Sequence, residues 1–562
     1  MFLPTTKEEI KKIGWNKLDI ILITGDAYID SPYFGISVIG KILLKAGYKV
    51  GIIAQPSVNN EEDIKRLGEP ELFWGVSSGC LDSMISNYTA TKKRRQKDDL
   101  TAGGENNKRP DRAVIAYSNL IRRYYKNTKP IVLGGIEASL RRIPHYDYWD
   151  NQIRRSILFD SKADLLVYGM GERTVLELAD KLKKNEPIEN IRGLCYISKT
   201  IKEGYIDLPS YADVKEDKIK FINMFNIFYE NNDPITANGL YQQTDTRYLI
   251  QNPPQYNLTS EELSDIYNLK YERDVHPYYK KDGVVRALET IRFSVNTHRG
   301  CYGQCNFCSI TVHQGTKVVS RTEESILNEI MEIVKLPDFK GYISDLGGPT
   351  ANMYQIECEK KSKQGQCKNK RCLYPKICEN LRISHRKQIE LLEKIRNIPK
   401  IKKVFIASGI RYDILLNDKE YGNQYMKELV LHHISGQLKI APEHTEEKVL
   451  KSMGKCDQSY LCNFKNIFDK TNKQYGKEQF LTYYLIAAHP DCDINDMKKM
   501  KNFIIQKLKL IPEQIQIFMP SPSTYSTLMY YTETNPFTKE AMFVEKDMGK
   551  KELQKRVIRR AS

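Results

Sequence analysis

The chain has 562 residues, 41% hydrophobic and 28% charged, which is ordinary for a globular protein and long enough for two or more domains. No apolar run approaches the roughly 20 residues of a membrane-crossing helix, and the opening MFLPTTKEEIKK meets charge too early for a signal peptide. A cytoplasmic protein with no membrane partner is therefore expected, and its twelve cysteines are not read as a disulfide framework. The net charge of +17 admits a nucleic-acid partner. Richness in Lys, Ile, Asn and Tyr, a bias of AT-rich genomes, accounts for it without one.

Residues 1–200 alternate strand-like and helix-like segments. LDIILIT (18–24) is followed by SVIGKILLKAGY, KVGIIAQ, LFWGVSSG, the helical RAVIAYSNLIRRYYK, PIVLGGIEAS and ADLLVYGMGERTVLELADKL. Apolar strands separated by amphipathic helices predict an α/β, doubly wound, flavodoxin-like domain. No G-x-G-x-x-G opens a helix after the first strand, which argues against a dinucleotide. Residues 92–112, KKRRQKDDLTAGGENNKRPDR, read as a solvated loop, with a phosphate contact as the sharper alternative. Arg141, Arg142, Arg154 and Arg155 flank PHYDYWD, a combination suited to anionic or nucleotide ligands and equally to covering a crevice. Residues 201–286 carry the breakers Asp233-Pro234, Asn252-Pro253-Pro254 and His276-Pro277, and read as an irregular but packed connector.

From residue 287 to 556 the alternation resumes. IRFSVNT, GYISDLG, KKVFIASG, GQLKIAP, FLTYYLIAA and QIQIFMP read as strands, with helices such as HRKQIELLEKIRNI and NDMKKMKNFIIQKLKL between them. Six such units predict a partial (β/α) barrel with its site at the strand carboxyl ends. After the first of these strands come Cys301, Cys305 and Cys308, spaced C-x3-C-x2-C. Ile291, Phe293 and Val295 form one face of the preceding strand. Ser320 and Glu323 offer a capping box to the following helix, whose Ile326, Ile330 and Ile333 share a face. Three thiolates this close call for a cation. A closed zinc site would need a fourth ligand such as His298 or His313, whereas three thiolates on a four-iron cluster leave one iron open. Free cysteines in a reduced cytosol are the remaining reading.

An insertion at about 355–380, CEKKSKQGQCKNKRCLYPKIC, holds Cys358, Cys367, Cys372 and Cys378. Its apolar content is too small for a core of its own, so a second metal, zinc or a further cluster, would staple it. Cys80, Cys195, Cys456, Cys462 and Cys492 read as ordinary thiols. The end of the chain, KDMGKKELQKRVIRRAS, reads as a surface helix with a basic tail at 557–562.

C-x3-C-x2-C with an aromatic, Phe307, before the last cysteine resembles the signature of radical S-adenosylmethionine enzymes. The chain resembles the YgiQ-type group of that superfamily through MFLPTTKEEIKK, YLIQNPP, VHPYY, DLGGPTANMY, LKIAPEHT and PSPSTYSTLMYYT. That resemblance implies a [4Fe-4S] cluster on Cys301, Cys305 and Cys308 as metal and catalytic centre. It implies S-adenosylmethionine on the fourth iron, cleaved to a 5′-deoxyadenosyl radical. An electron donor such as flavodoxin or ferredoxin is implied as partner, while the substrate (RNA, protein or small molecule) and its reaction stay unnamed. Methyl or methylthio transfer is compatible with stretches similar to methylthiotransferases. Cofactor-binding roles follow by position. Gly347 and Gly348 stand where the superfamily has a Gly-Gly-Glu turn, with Pro349 replacing the glutamate. Ser408 and Arg411 would meet the ribose and carboxylate, Glu443 lies beside His444 in LKIAPEHTEEKVLKSMGK, and AAHPDCD is similar to a turn that contacts adenine. The first 200 residues resemble a cobalamin-binding-type domain, through Pro32 to Gly35, AGYKV and GMGERTVLELAD. The absence of D-x-H-x-x-G leaves cobalamin doubtful. The alternative function is a non-catalytic iron–sulfur or zinc protein with a structural, redox-sensing or nucleic-acid-binding role.

Overall fold

The computed structural model describes residues 1–509, 512 and 515–559. The chain divides into two compact units, Met1–Asn257 with Leu269–Arg292 and Leu258–Asn268 with Phe293–Ser562.

The first unit is built on a nine-stranded sheet. Its strands are β1 (Ile20–Thr24), β2 (Val50–Ala54), β3 (Phe73–Ser77), β4 (Ile131–Leu133), β5 (Leu165–Val167), β6 (Leu194–Ser198), β7 (Ile206–Leu208), β8 (Leu240–Thr244) and β9 (Arg247–Gln251). The order is β7-β8-β9-β6-β5-β4-β3-β1-β2. Within it, β2-β1-β3-β4-β5 is parallel throughout, which is the flavodoxin-like order with its switch point between β1 and β3. Every residue of β1 and β2 is buried, as a sheet covered by helices on both faces requires.

Residues 201–286 are therefore not irregular. Their β-branched and aromatic residues extend the sheet as β7, β8 and β9, the last two a tight hairpin from Leu240↔Gln251 to Thr244↔Arg247. The proline breakers fall outside these strands and outside the helix Lys218–Glu230.

The stretch at 92–112 is solvated only in part: residues 92–97 are exposed, but later residues fold back into the unit. Its Arg109 is fully buried at the carboxyl ends of β1 and β3. The guanidinium donates to Gly25 O at 3.1 Å and pairs with Asp26 at 2.6 Å and Asp98 at 2.9 Å. The turns around it are close-packed. A Cβ on Gly25 would lie 2.3 Å from Ser78 O, and one on Gly79 would lie 2.2 Å from the Asp26 carboxyl. The ion triad of Arg109, Asp26 and Asp98 is thus buried beside the switch point, where a doubly wound sheet offers its ligand site. The arginines near PHYDYWD are committed in the same way. Arg141 pairs with Asp82, Arg142 binds Gln251 and Asn232, and Arg154 and Arg155 both grip Asp160.

The second unit carries short parallel strands in chain order: β10 (Ser294–Asn296), β11 (Tyr342–Ile343) and β12 (Asp345–Gly347), β13 (Lys403–Val404), β14 (Gln437–Glu443), β15 (Phe480–Ala487) and β16 (Ile515–Ile517). β10 pairs with β12, β11 with β13, β14 with β15 and β15 with β16, all parallel. Ile410 bridges to Ile440, and Ile406 N donates to His433 O, which carries the order from β13 to β14. Among the described residues β10 and β16 are not paired, so the barrel is partial. β14 and β15 alternate buried with half-buried residues. The buried face packs on Ile326, Ile330 and Ile333 and on the other helices.

Three local expectations change. The first strand begins only at Ser294, because Ala287–Ile291 is helical. The helix Glu323–Val334 is capped by Thr322, whose hydroxyl accepts from Ser325 N at 3.2 Å. Ser320 instead pairs across to His298 and binds Gln355 N. The C-terminal helix Met548–Arg559 is not confined to the surface: it buries Lys551, Gln554 and Ile558. Leu510, Gln514 and the last three residues of the tail lie outside the described residues.

Removing Arg109 would leave Asp26 and Asp98 buried without a counter-charge. Arg109→Ala is expected to cost about 3–5 kcal/mol, read as a fall in the denaturant midpoint of the full-length protein.

Candidate functional site

The three cysteines lie in a loop that leaves the carboxyl end of β10. Its base is a short antiparallel pair, His298↔Ser320 and Arg299↔Val319. Arg321, fully buried, anchors that base. It donates to Asn296 O at 2.8 Å, pairs with Glu329 and lies 4.3 Å over the Tyr267 ring. Gly300 opens the loop with φ +81°, and a Cβ there would sit 2.0 Å from Lys317 O. Only glycine tolerates both the dihedral and the approach.

Asn306 fixes the middle of the loop. Its backbone N donates to Met453 O at 2.9 Å and its carbonyl accepts from Ser526 N at 2.9 Å. Its side chain donates to Ser452 O at 2.8 Å and accepts from Arg371 at 2.7 Å. Cys308 N closes on Cys305 O at 3.0 Å. Burial pushes the Cys308 thiol up to about 12, with Cys305 and Cys301 adding to it. Burial also raises Cys301, against the opposing charge of Arg411. Among the described residues no three Cys, His, Asp or Glu side chains converge to hold a single ion. A cluster, whose thiolates each bind a different iron, does not need them to.

The other strand ends surround this loop. Gly347 and Gly348 follow β12. A Cβ on Gly347 would lie 2.8 Å from Ser408 Oγ, and one on Gly348 2.7 Å from the His298 ring. His298 is buried, and burial holds its imidazole down at about 4. Ser408 is not free to reach a ribose: its hydroxyl donates to Asp345, which also accepts from Ala407 N and Ser408 N. Nor is the fork of Arg411 open to a carboxylate. Nε and one terminal nitrogen grip Asp413 at 3.0 and 2.5 Å, and the other terminal nitrogen lies 3.5 Å from Cys305 Sγ.

Glu443 ends β14 at φ +68°, where the register with β15 shifts. A glutamate at positive φ is strained. Burial raises its carboxyl, with Lys455 and Arg411 opposing. His444 is directed away from it. Its Nδ1 accepts from Glu446 N, and its Nε2 is 3.5 Å from Cys492 Sγ. The turn in AAHPDCD is held from two sides, by His489 on Ser526 at 2.7 Å and by Gln554 of the C-terminal helix on Ala488 N and Cys492 O.

The four-cysteine insertion does find a core. Cys358 packs with Tyr302, Val318, Met353, Ile356, Leu373, Leu381 and Ile414. Its sulfur accepts from Lys361 N at 3.4 Å, and Lys361 Nζ, also buried, sits 3.5 Å from Cys372 Sγ. Cys378 N donates to Cys372 O at 2.9 Å. Asn306, Asp345, Asp413 and Asn352 were not singled out by sequence. Asp413 alone left a signal, two residues after Arg411.

An open parallel barrel with C-x3-C-x2-C on its first loop, behind a doubly wound unit, defines a radical S-adenosylmethionine enzyme. Residues 2–294 match the family described as Radical SAM N-terminal. The chain belongs to the UPF0313 family: a UPF0313 protein of Fusobacterium nucleatum is 59% identical over 99% of this chain and 98% of its own. One of Thermotoga petrophila is 49% identical over 98% and 96%. In fold the chain is similar to the radical S-adenosylmethionine methyltransferase TsrM of Kitasatospora setae, solved with cobalamin and a [4Fe-4S] cluster. That TM-score is 0.52 at 12% identity, over 91% of this chain and 77% of that one.

Gly300→Ala is expected to cost at least about 2 kcal/mol. Gly409→Ala, where a Cβ meets nothing within 4 Å, should be close to neutral. Denaturant unfolding of the two variants checks the contrast.

Proposed function

We propose that Cys301, Cys305 and Cys308 hold a [4Fe-4S] cluster and that S-adenosylmethionine binds beside it at the carboxyl ends of the barrel strands. The observation that carries this is the loop: three thiols fixed at the end of the first strand of an open parallel barrel, with no fourth ligating side chain converging on them among the described residues. The donor set fits, because three soft thiolates suit a cluster with one iron left for a small-molecule ligand, while a closed zinc site takes four protein donors. Such a cluster, when bound, supplies the electron that splits the sulfonium of S-adenosylmethionine into methionine and a 5′-deoxyadenosyl radical.

The chain's own residues do the positioning. The four hydrogen bonds of Asn306 hold the loop. The Gly347 carbonyl is held by Thr297, and Thr350, two residues past Gly348, brings its Oγ1 to 3.8 Å from the Cys301 sulfur. The buried Glu443 carboxyl lies near enough to Cys308 to help raise that thiol. Ser408 contributes through Asp345. Methyl or methylthio transfer to an RNA, protein or small molecule is the reaction this reading favours, and the fold likeness to a methyltransferase supports it. This reading does not call on cobalamin: Arg109, paired with Asp26 and Asp98, lies buried beside the switch point of the doubly wound sheet.

After anaerobic reconstitution with iron and sulfide, the protein with dithionite and S-adenosylmethionine should release 5′-deoxyadenosine. Cys301→Ala, Cys305→Ala or Cys308→Ala should abolish that release while the fold survives. Near wild-type cleavage in any of the three would end the assignment, and an intact cluster with no cleavage would favour a non-catalytic role. Hydroxocobalamin added to the same mixture should be lost on desalting.

A second thiolate-bound metal in the insertion belongs to this reading. Its support is the buried Lys361 ammonium, which lies 3.5 Å from Cys372 Sγ and needs negative charge, while the Lys361 backbone N–H reaches Cys358 Sγ. Elemental analysis of a variant lacking Cys301, Cys305 and Cys308 should still find iron or zinc, and changing Cys358, Cys372 and Cys378 as well should remove it. A metal-free triple variant whose insertion resists protease would exclude the second site.

A further inference from the structure

Arg411 is the one cation in hydrogen-bond reach of the cysteine loop's sulfurs among the described residues, and the barrel invests a chain of buried groups in holding it there. Its terminal nitrogen lies 3.5 Å from Cys305 Sγ, and a Cβ on Gly303 would come within 2.8 Å of that nitrogen. The glycine in the loop is thus what lets the guanidinium approach. Asp413, 2% exposed, holds the opposite edge of the guanidinium.

The backbone of Arg411 is fixed just as tightly. Its N donates to Asn352 Oδ1 at 2.9 Å, and its carbonyl accepts from Asn352 Nδ2 at 3.0 Å. The other hydrogen of that amide faces His385 Nε2 at 3.2 Å. His385 Nε2 therefore accepts, and Nδ1 carries the proton it donates to Asp418 at 2.7 Å. Asp418 accepts again from His385 N at 2.7 Å and Tyr421 N at 2.9 Å. His385 stacks on Tyr425 with ring centroids 4.5 Å apart. Asn352 and His385 are 0% and 1% exposed.

We propose that Arg411 is a positioning residue that sets the reduction potential of the cluster, by donating an N–H to the Cys305 sulfur and placing a positive charge beside it, with Asp413 moderating that charge. The inference rests on the reading that Cys305 ligates the cluster. Reduction adds one electron, supplied by an external donor that is itself oxidised, and so one negative charge to the cluster. A guanidinium hydrogen bond to a ligating sulfur stabilises the more negative state and moves the midpoint upward. The Asp418–His385–Asn352 series keeps the N–H aimed at sulfur rather than at solvent.

The test is a redox titration of the reconstituted full-length protein without S-adenosylmethionine, with iron and sulfide content and the EPR signal of the reduced cluster measured on the same samples. Arg411→Met should assemble the cluster and lower its midpoint, with at least a tenfold loss in the reduction equilibrium, ~59 mV for one electron. Asp413→Asn should move the midpoint the other way, and Arg411→Lys should fall between wild type and Arg411→Met. Should Arg411→Met not assemble, the opposed shifts of Asp413→Asn and Arg411→Lys decide the matter. Full cluster content with an unchanged midpoint in these variants overturns the proposal, as does an unchanged midpoint with weakened S-adenosylmethionine binding, which would return Arg411 to a ligand-binding role. Absence of any cluster in the wild-type protein would instead overturn the reading of the three cysteines.

Discussion

Tyr302 and Phe307 anchor the cysteine loop in apolar core, but the stretch between them is glycine, glutamine, cysteine and asparagine, and its geometry has to be imposed by hydrogen bonds from elsewhere. In this protein Asn306 receives that imposition. Both of its peptide groups and both ends of its side chain are engaged, by Met453, Ser526, Ser452 and Arg371. These partners come from three segments far apart in sequence, and each of those segments is in turn anchored in the barrel. Cys301 and Cys308 can be shielded from water, and their thiol pKa raised, only because the backbone carrying them is fixed in this way.

Buried arginines recur, and they do different things. Arg109 lies buried beside the switch point of the doubly wound sheet. Arg321 ties the first barrel strand to the helix that follows it. Arg411 is held at the sulfurs. In each case a carboxylate shares the buried volume, which is the condition under which a guanidinium can be removed from water without a prohibitive desolvation cost. The amount of positive charge on the chain, large as it is, says nothing about these three; their surroundings do.

The layered architecture was legible in the sequence because apolar runs and amphipathic periodicity are local properties. β1, β2 and β3 fall where LDIILIT, KVGIIAQ and LFWGVSSG lie, and the barrel strands fall where six further runs were read. The three cysteines were legible because their spacing is local too. Residues 201–286 look irregular in sequence because their proline breakers stand out more than the β-branched and aromatic residues of β8 and β9. The loop at 92–112 is exposed at 92–97, as its charges suggest, but the burial of Arg109 is not visible in the stretch alone, because its partners are Asp26, from the end of β1, and Asp98. Ser408 and Arg411 were assigned by position to a ligand, yet their polar atoms are occupied by Asp345 and Asp413. Asp413 stands close enough in sequence to have been weighed. The pairing of His385 with Asp418 spans 33 residues and left no local trace.

The Asn306–Ser452 contact joins residues 146 positions apart. A ribosome adding about 5–20 residues per second needs about 7–30 s to cover that distance. Throughout that interval Cys301, Cys305 and Cys308 are outside the ribosome or nearing its exit, on a loop whose clamps have not yet been made. The thiols therefore spend the opening seconds of the protein's existence unburied and unrestrained, and whatever delivers iron and sulfide meets them either then or after the last clamps have closed. The fold thus makes the timing of metal delivery relative to synthesis a property of the sequence separation between a loop and what holds it.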